Sequence, residues 1–288
     1  MRAAVFAFLL ALVAQPCSAG SNPYLIALMG QSNMVGRGEL SDLPRGFPAN
    51  PTKLWNFTNA YKWEPAKEPI DSPLGQLDLV SLDEHAAVGP SLALADTFVS
   101  MHPTTTVGLI PCAKGSSSIS DWQKTHSTDQ RSTLYGSCMN RMKMVSPANG
   151  PIRAIIFWQG GEDAKKEKEA LKWKERFTTF VADLRRDLGD PSLPIILIML
   201  ALHDKEAVDR SPYWQVVREQ QRSVNIPGVV KFDSDGYDRK VGGVHFSTRG
   251  QLAIGAALAH LLPGPDLSIF SSLTTNPASS PRELRAAA

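Results

Sequence analysis

Ser32 lies in a sequence context that suits a nucleophile. It follows an apolar run at residues 24–28, which predicts a buried strand, and the intervening Met29-Gly30-Gln31 includes a glycine that permits a sharp turn. Such a turn would present the Ser32 hydroxyl at the carboxyl edge of a sheet, where open α/β sheets bind their ligands. A serine after a strand is also a common turn or helix N-cap residue, so the motif needs support from residues elsewhere.

His245 is the candidate base. It lies in Gly242-Gly243-Val244-His245-Phe246-Ser247-Thr248, a glycine-flanked turn between the last predicted strand and the last predicted helix, where it could face Ser32. Acyl transfer requires a nucleophile, a base in contact with it and hydrogen-bond donors aimed at the developing oxyanion. Gly115 and Gln159, each following another predicted strand, would complete that set.

The elements that must position these residues alternate between strand and helix. Five apolar runs predict buried strands, and between them lie segments with helical periodicity. This alternation predicts an α/β fold, in which a parallel sheet is covered on both faces within one doubly wound domain from about residue 22 to residue 263. The predicted strands cover residues 24–28, 105–110, 152–158, 194–200 and 229–232, and the helices lie near residues 92–98, 129–145, 164–188, 213–224 and 248–262.

A long irregular stretch extends from Gly36 to about Leu79. It includes a plausible short strand at residues 53–57 and three aromatic residues, Trp55, Tyr61 and Trp63. Long ordered loops at the carboxyl edge of a sheet are commonly functional, and aromatic rings stack well on sugars. The same three rings could equally pack the loop against the body of the domain, and both interpretations remain open at this stage.

Composition excludes some functions. The chain has 288 residues, 43% hydrophobic content, 20% charged residues and a net charge of +2. No basic run is present, and the Lys165-Lys166-Glu167-Lys168 cluster is typical of a solvated helix face, so nucleic acid is not a predicted partner. No His/Cys cluster has metal-ligand spacing, and we therefore expect neither a metal nor a cofactor.

The N-terminus predicts export. Arg2 precedes an apolar run at residues 3–14, and small residues follow up to residue 19, which is the order found in a secretion signal cleaved before Gly20. A buried N-terminal helix is the alternative, and the run is too short to span a bilayer. We therefore expect a secreted or periplasmic domain at residues 20–263, followed by a flexible tail at residues 264–288, with no stable membrane insertion.

Two cysteines would remain after removal of the signal. Cys112 and Cys138 would then be in a compartment where disulfides persist. They could form one bridge or remain as two separately buried thiols, and the sequence does not decide between these states.

Several motifs together resemble a known family. They occur in the order of the conserved blocks of the SGNH hydrolases, and more narrowly of the carbohydrate acetylesterase branch that includes acetylxylan esterases and sialate O-acetylesterase-like domains. The resemblance covers roughly residues 24–260. It is carried by Gly30-Gln31-Ser32-Asn33-Met34, the Gly115 turn with Ser118, Ile119 and Trp122, Phe157-Trp158-Gln159-Gly160, and Gly243-Val244-His245-Phe246-Ser247 with Gly250-Gln251.

This resemblance implies a three-layer flavodoxin-like fold with a five-stranded parallel sheet. It also implies an esterase in which Ser32 attacks the acetyl group of an acetylated carbohydrate while His245 takes and returns the proton. The oxyanion would be held by the amides of Ser32 and Gly115 and by the side-chain amide of Gln159. Gln31, Asn33 and Trp122 are the expected substrate contacts.

The sequence departs from the family pattern at two acidic positions. Gly242 stands where the family carries the aspartate that orients the histidine, and Gly161 stands at a second acidic position. Glu162, Asp163 or Asp238 could replace the missing acid from a shifted position, and Glu162 is the preferred one. A Ser/His dyad without an acid, and a weakened or inactive site, are the alternatives. A carbohydrate-binding protein without activity and a lipase or thioesterase are the competing functional classes.

Overall fold

The computed structural model describes residues 22–126, 130–202, 210–241 and 243–265. Its seven strands form one sheet in the order β3-β2-β4-β1-β5-β6-β7. Every residue of the central β1 is buried, which explains why this strand is a continuous apolar run. The strands are β1 (Tyr24–Gly30), β2 (Leu54–Phe57), β3 (Trp63–Pro65), β4 (Val107–Ala113), β5 (Ile152–Trp158), β6 (Ile195–Met199) and β7 (Val229–Asp233).

The sheet has seven strands, so the expected five-stranded parallel sheet is corrected. The five predicted apolar runs form the contiguous parallel part β4-β1-β5-β6-β7. β2 extends this part in parallel beside β4, and β3 pairs antiparallel with β2, so the sheet is mixed. β3 has only three residues, includes Pro65 and is mostly exposed, which is typical of a short edge strand without an alternating apolar pattern.

Helices cover both faces of the sheet. Side chains of β1 alternate between two apolar clusters: Leu25, Ala27 and Met29 face one, and Tyr24, Ile26 and Leu28 face the other. The α-helices are α1 (Ser32–Val35), α2 (Ser91–Met101), α3 (Leu134–Asn149), α4 (Glu167–Leu188), α5 (Trp214–Arg222) and α6 (Thr248–Ala259). Short 3₁₀ segments cover Leu40–Asp42, Pro51–Lys53, Ile119–Trp122, Gln130–Ser132 and Asp163–Lys165.

The two faces carry different helices. The first cluster includes residues of α3, α4 and α5, and the second includes residues of α2 and α6. In α4 the buried side chains recur at helical spacing, whereas the apolar side chain of Leu171 is 57% exposed. The arrangement leaves the carboxyl ends of β1, β4 and β5 side by side at one edge of the sheet.

Cys112 and Cys138 form a disulfide. Their Cα atoms are 5.5 Å apart, and the bridge joins the end of β4 to α3. This decides between the two states that the sequence left open.

Three sequence predictions fall on residues outside those described: the signal at residues 1–19, the substitution at Gly242, and the C-terminal tail from residue 266 onward. Within the described ranges, no helix combines the length and apolarity needed to cross a lipid bilayer.

Candidate active site

The turn after β1 depends on Gly30. Its φ is +140°, and a Cβ atom at this position would overlap the carbonyl group of Trp158 on the neighbouring β5. The Gln31 amide donates a hydrogen bond of 2.8 Å to that same carbonyl. Only glycine permits this close approach of two strand ends, and the chain then enters α1 with Ser32 as its first residue.

Ser32 and His245 meet at the carboxyl edge of the sheet. The Nε2 atom of His245 lies 3.0 Å from the Oγ atom of Ser32, although the two residues are 213 positions apart in the chain. The Ser32 residue is 8% exposed. With the imidazole proton on Nδ1, the His245 Nε2 atom accepts the hydrogen of the hydroxyl group, which is the geometry that a general base requires.

Asn33 fixes the segment that carries His245. Its Nδ2 atom donates to the carbonyl of Val244 at 3.0 Å, and its Oδ1 atom accepts from the amide of Phe246 at 3.4 Å. Both atoms of the Asn33 amide group are therefore used on the two neighbours of His245. Asn33 thus holds the backbone on both sides of His245 and also lines the cleft, where a substrate contact remains a prediction.

Burial lowers the pKa of His245 to about 4. Burial is the largest cause of this shift, the positive charges of Arg37 and Lys240 contribute to it, and the negative charge of Asp83 opposes it. At neutral pH the imidazole is therefore uncharged and able to accept a proton.

Glu162 lines the same cleft as His245 but is not bonded to it. Its carboxylate forms an ion pair with Lys165 Nζ, at 2.6 Å and one helical turn away, and this pair is solvent-exposed. Within the described residues, no carboxylate makes a hydrogen bond or an ion pair with His245. The structure thus places the preferred orienting acid elsewhere.

The two other candidate acids are also engaged elsewhere. Asp163 is buried and accepts hydrogen bonds from the amide of Ile119. Asp238 accepts from the Ser247 hydroxyl and from Arg249. Both carboxylates stabilise local structure, so among the described residues Ser32 and His245 stand as a pair without a third acidic member.

Gln159 does not extend its side chain into the cleft, contrary to its expected oxyanion role. It is fully buried, and its Nε2 atom donates to the carbonyl of Ser117 and to the carboxylate of Asp163. Its Oε1 atom accepts from the indole nitrogen of Trp173 at 2.9 Å. Because both the oxygen and the nitrogen of its side-chain amide are bonded inside the protein, Gln159 stabilises the packing at the end of β5.

The Gly115 turn lies beside the end of β1. The Lys114 amide donates to the Gly30 carbonyl at 2.9 Å, and the Ser117 hydroxyl closes the turn by donating to the Lys114 carbonyl at 2.8 Å. Within the described residues, the backbone amides of Ser32 and Gly115 have no hydrogen-bond acceptor. These two groups are available to a bound ligand.

Trp122 supports this turn from the core. Its ring is fully buried, its indole nitrogen donates to Ser117 Oγ at 3.0 Å, and it packs edge-on against Phe157. It therefore does not make the expected substrate contact. Likewise, Tyr61 and Trp63 pack against Phe57, which favours the interpretation that they anchor their loop.

A cleft of about 270 Å³ opens above Ser32 and His245. Gln31 lines it, with its Oε1 atom accepting from the amides of Gly160 and Gly161, so that its Nε2 hydrogens remain for a ligand. The indole of Trp214 provides an aromatic wall. The remaining lining includes Asn33, Ser116, Trp158, Gly161, Glu162, Lys165, Leu200, Arg210, Ser211, Gly243 and Val244.

Comparison with known proteins assigns the family. The family model described as carbohydrate esterase, sialic acid-specific acetylesterase, matches residues 23–263. The chain belongs to this family. It is 29% identical over 251 residues to a probable carbohydrate esterase of Arabidopsis thaliana, a match that covers 82% of this chain and 88% of the relative.

Two solved structures have a similar fold. A structure from Arabidopsis thaliana, 28% identical, has a TM-score of 0.70 and covers 83% of this chain and 97% of its own. The structure of NanS, at 15% identity, has a TM-score of 0.60 and covers 84% and 96% respectively, which shows a shared fold alone.

Sequence reasoning missed two charged residues beside the esterase site. Neither Arg37 nor Asp83 was among the candidate residues. Arg37 lies five positions after Ser32, and this proximity was the one signal available. Trp214, which lies in the predicted helix at residues 213–224, was also not among the expected cleft residues.

Proposed function

We propose that this protein is a serine esterase that removes acetyl groups from carbohydrates. The observation that carries the proposal is the 3.0 Å contact between Ser32 Oγ and His245 Nε2 beneath an open cleft, in a chain that belongs to a carbohydrate esterase family. Nucleophile and base are in hydrogen-bond contact before any substrate binds, which is the arrangement that acyl transfer needs.

The reaction would proceed in two halves. Ser32 Oγ attacks the acetyl carbonyl carbon while its proton passes to His245 Nε2, and the resulting tetrahedral intermediate expels the sugar oxygen, which takes that proton. Water then attacks the acetyl-serine, giving a proton to His245, and the second intermediate collapses to acetate while Ser32 Oγ regains the proton. The low pKa of His245 keeps its nitrogen free to start each half.

The free amides of Ser32 and Gly115 would hold the negative oxygen of both intermediates. Removing one such donor typically costs about 3 kcal/mol of transition-state stabilisation. Gln159 is not part of this set, because its side chain is bonded within the core. We further propose that the site works as a dyad, in which Asn33 holds the segment around His245 in place of an orienting carboxylate.

The acetylated carbohydrate would lie in the cleft against Trp214, with Gln31 Nε2 as a donor to its hydroxyl or carbonyl groups. Sugars combine an apolar ring face with a polar edge, and an indole wall with nearby donors suits both. We also propose that the protein is exported: the order of residues 1–19 supports a secretion signal, and the Cys112–Cys138 bridge is typical of an oxidising compartment.

The test is acetate release from acetylated sialic acids, acetylated xylan and acetylated monosaccharides by the purified protein. Wild type should release acetate and be labelled at Ser32 by a serine-reactive phosphonate. Ser32→Ala should lose both, by at least about a thousandfold in turnover, while its circular dichroism is unchanged. Ser41→Ala, at an exposed serine, is the matched control and should retain activity.

A wild-type protein that resists every acylating probe but still binds acetylated sugars would refute the esterase proposal. That outcome would instead identify a carbohydrate-binding protein. Labelling by the phosphonate with hydrolysis of long-chain esters alone would point to a lipase.

A further inference from the structure

Arg37 and Asp83 form an ion pair that the proposed reaction does not use. Their side chains are 14% and 10% exposed, so the pair is largely shielded from water. Nη2 of Arg37 donates to Asp83 Oδ2, and its Nη1 donates to the carbonyls of Gly36 at 2.7 Å and His85 at 3.2 Å. The amide of His85 donates in turn to Asp83 Oδ1 at 3.0 Å. Both charges are therefore held in fixed positions.

The pair packs directly against Gly115. A Cβ atom on Gly115 would overlap Asp83 Oδ2 and would lie 3.2 Å from Arg37 Nη2. No side chain fits there, because the space is filled by the two charged groups. The Gly115 turn, whose amide has no acceptor within the described residues, is thus in direct contact with a guanidinium and a carboxylate.

The same charges reach His245. Three charged groups of the described residues act on its imidazole: Arg37 and Lys240 oppose its protonation, and Asp83 favours it. Lys240 is paired with Glu39 at the surface, whereas Arg37 and Asp83 form a pair that is largely shielded from water.

We propose that Arg37 and Asp83 are a pair of positioning residues for the esterase reaction, in which Arg37 favours negative charge at the Gly115 turn and Asp83 favours positive charge on His245. This inference rests on the proposed function. Acyl transfer creates both charges at once, an oxyanion near Gly115 and an imidazolium at His245. A lone cation beside them would help the first and hinder the second, whereas a fixed ion pair serves both.

The Ser32–His245 site lacks two groups that the family resemblance implied, a third oxyanion donor and an orienting carboxylate. The Gln159 amide is turned into the core, so the oxyanion lacks a donor that the sequence led us to expect. No described carboxylate touches His245, so the imidazolium lacks a bonded counter-ion. Arg37 and Asp83 act on these same two positions through space and through the packing of Gly115.

The experiment compares Arg37→Gln, Asp83→Asn and the double variant. Removing Arg37 should raise the pKa of His245 and move the acid limb of kcat/KM to higher pH, because an opposing positive charge is lost. Removing Asp83 should move the limb to lower pH, because a favouring negative charge is lost. The double variant should return towards the wild-type limb. Each single variant should lower kcat by about ten- to a hundredfold with little change in KM.

Matched controls separate this role from a structural one. Arg186→Gln and Asp183→Asn break a surface Arg–Asp pair far from the site and should leave kcat and the acid limb unchanged. Arg37→Lys keeps the charge and serves if Arg37→Gln does not fold. The titration of His245 should also be followed by NMR of labelled histidine, since this readout does not depend on turnover.

Shifts of the acid limb in the same direction, or lower melting temperatures with kcat per folded molecule and the His245 titration unchanged, would overturn the proposal. The failure of the esterase function itself would look different, because the wild-type protein would then neither release acetate nor react with the phosphonate.

Discussion

Two polar clusters lie at the carboxyl ends of the adjacent strands β1 and β5, and they differ in how their polar groups are satisfied. The Ser32–His245 cluster faces a cleft and leaves two backbone amides without acceptors. The Gln159–Asp163 cluster is buried, and each of its side-chain polar atoms has a partner within the protein.

The same sequence signal, polar residues directly after a buried strand, thus produced two outcomes. Buried polar groups are stable only when they are bonded, so complete bonding is the mark of a structural cluster. Hydrogen-bonding capacity that remains unused beside a cleft is the mark of a site that awaits a ligand. Four predictions test this distinction.

The largest effect concerns His245 and pH. Because the pKa of the buried imidazole is about 4, kcat/KM should stay on its plateau from pH 7 down to about pH 5 and then fall, approaching tenfold per pH unit below pH 4. The measurement is kcat/KM for an acetyl ester between pH 3.5 and pH 8, with folding monitored by circular dichroism. An acid limb near the ordinary histidine value of about 6.5 would contradict the description of the site.

Gln159→Ala should act on stability more than on catalysis. The substitution leaves the indole nitrogen of Trp173 and the carbonyl of Ser117 without partners in the core, which should lower the free energy of unfolding by about 2 to 4 kcal/mol. Urea denaturation measures this, and Gln215→Ala on the exposed face of α5 is the control. Unchanged stability with a hundredfold loss of kcat would return Gln159 to the oxyanion site.

Glu68 and Asp71 form an intermediate case, since each carboxyl group is buried with one oxygen bonded and one without a partner. Burial raises the pKa of Glu68 to about 8 and that of Asp71 to about 7. The folded state therefore keeps these protons to higher pH than the unfolded state does. The contribution of the two neutral carboxyl groups to the free energy of unfolding is fully present below about pH 4.5 and is lost as the pH rises towards 8.

Glu68→Gln should flatten this decline. The amide cannot ionise, so the variant should not lose stability as the pH rises. The free energy of unfolding of the variant minus that of the wild type should therefore be more than about 1 kcal/mol larger at pH 8 than at pH 5. Denaturation at the two pH values measures this. Glu64→Gln, at an exposed position of β3, should leave the pH dependence unchanged. If the free energy of unfolding changes with pH in the same way for Glu68→Gln and for wild type, the Glu68 carboxyl group is already ionised in the folded protein.

The smallest effect is expected for Glu162→Gln. The carboxylate pairs with Lys165 at the surface, and such pairs contribute at most about 1 kcal/mol, so kcat/KM should change by no more than about twofold. A loss of orders of magnitude would mean that Glu162 moves onto His245 when substrate binds, and the dyad would have to be abandoned.

The sequence predicted the parts of the molecule that depend on local pattern. The strands β1, β4, β5 and β6 are almost entirely buried, so each is a nearly continuous apolar run that can be recognised without tertiary information. The fifth, β7, is only partly buried and was recognised from its β-branched and aromatic residues. β3 lacks such a run, and the strand was missed. The contact between Ser32 and His245 could be predicted because acyl transfer restricts which residue types can cooperate and because both residues were placed on the carboxyl side of strands.

Side-chain direction could not be predicted in the same way. Gln159 turns inward because Trp173, fourteen residues later on α4, supplies a donor to its oxygen, and that partner is known only once α4 has packed. Asp83 lies in an irregular loop, and only the tertiary fold brings it against Gly115. Local pattern determines where a strand ends, whereas the packing of distant elements determines which way the next side chain points.

The Cys112–Cys138 bridge makes maturation of the protein dependent on an oxidant. It spans 26 residues, a segment that contains the Gly115 turn and Trp122, and in the chain-entropy account a cross-link of this length adds about 3 to 4 kcal/mol. That is a large share of the 5 to 15 kcal/mol typical of a folded domain. Protein produced in a reducing cytosol should therefore melt at a lower temperature than protein produced in an oxidising compartment. Counting the free thiols in the two preparations would show whether an inactive preparation lacks the bridge, and hence part of its stability, or has the bridge and a defect in the site itself.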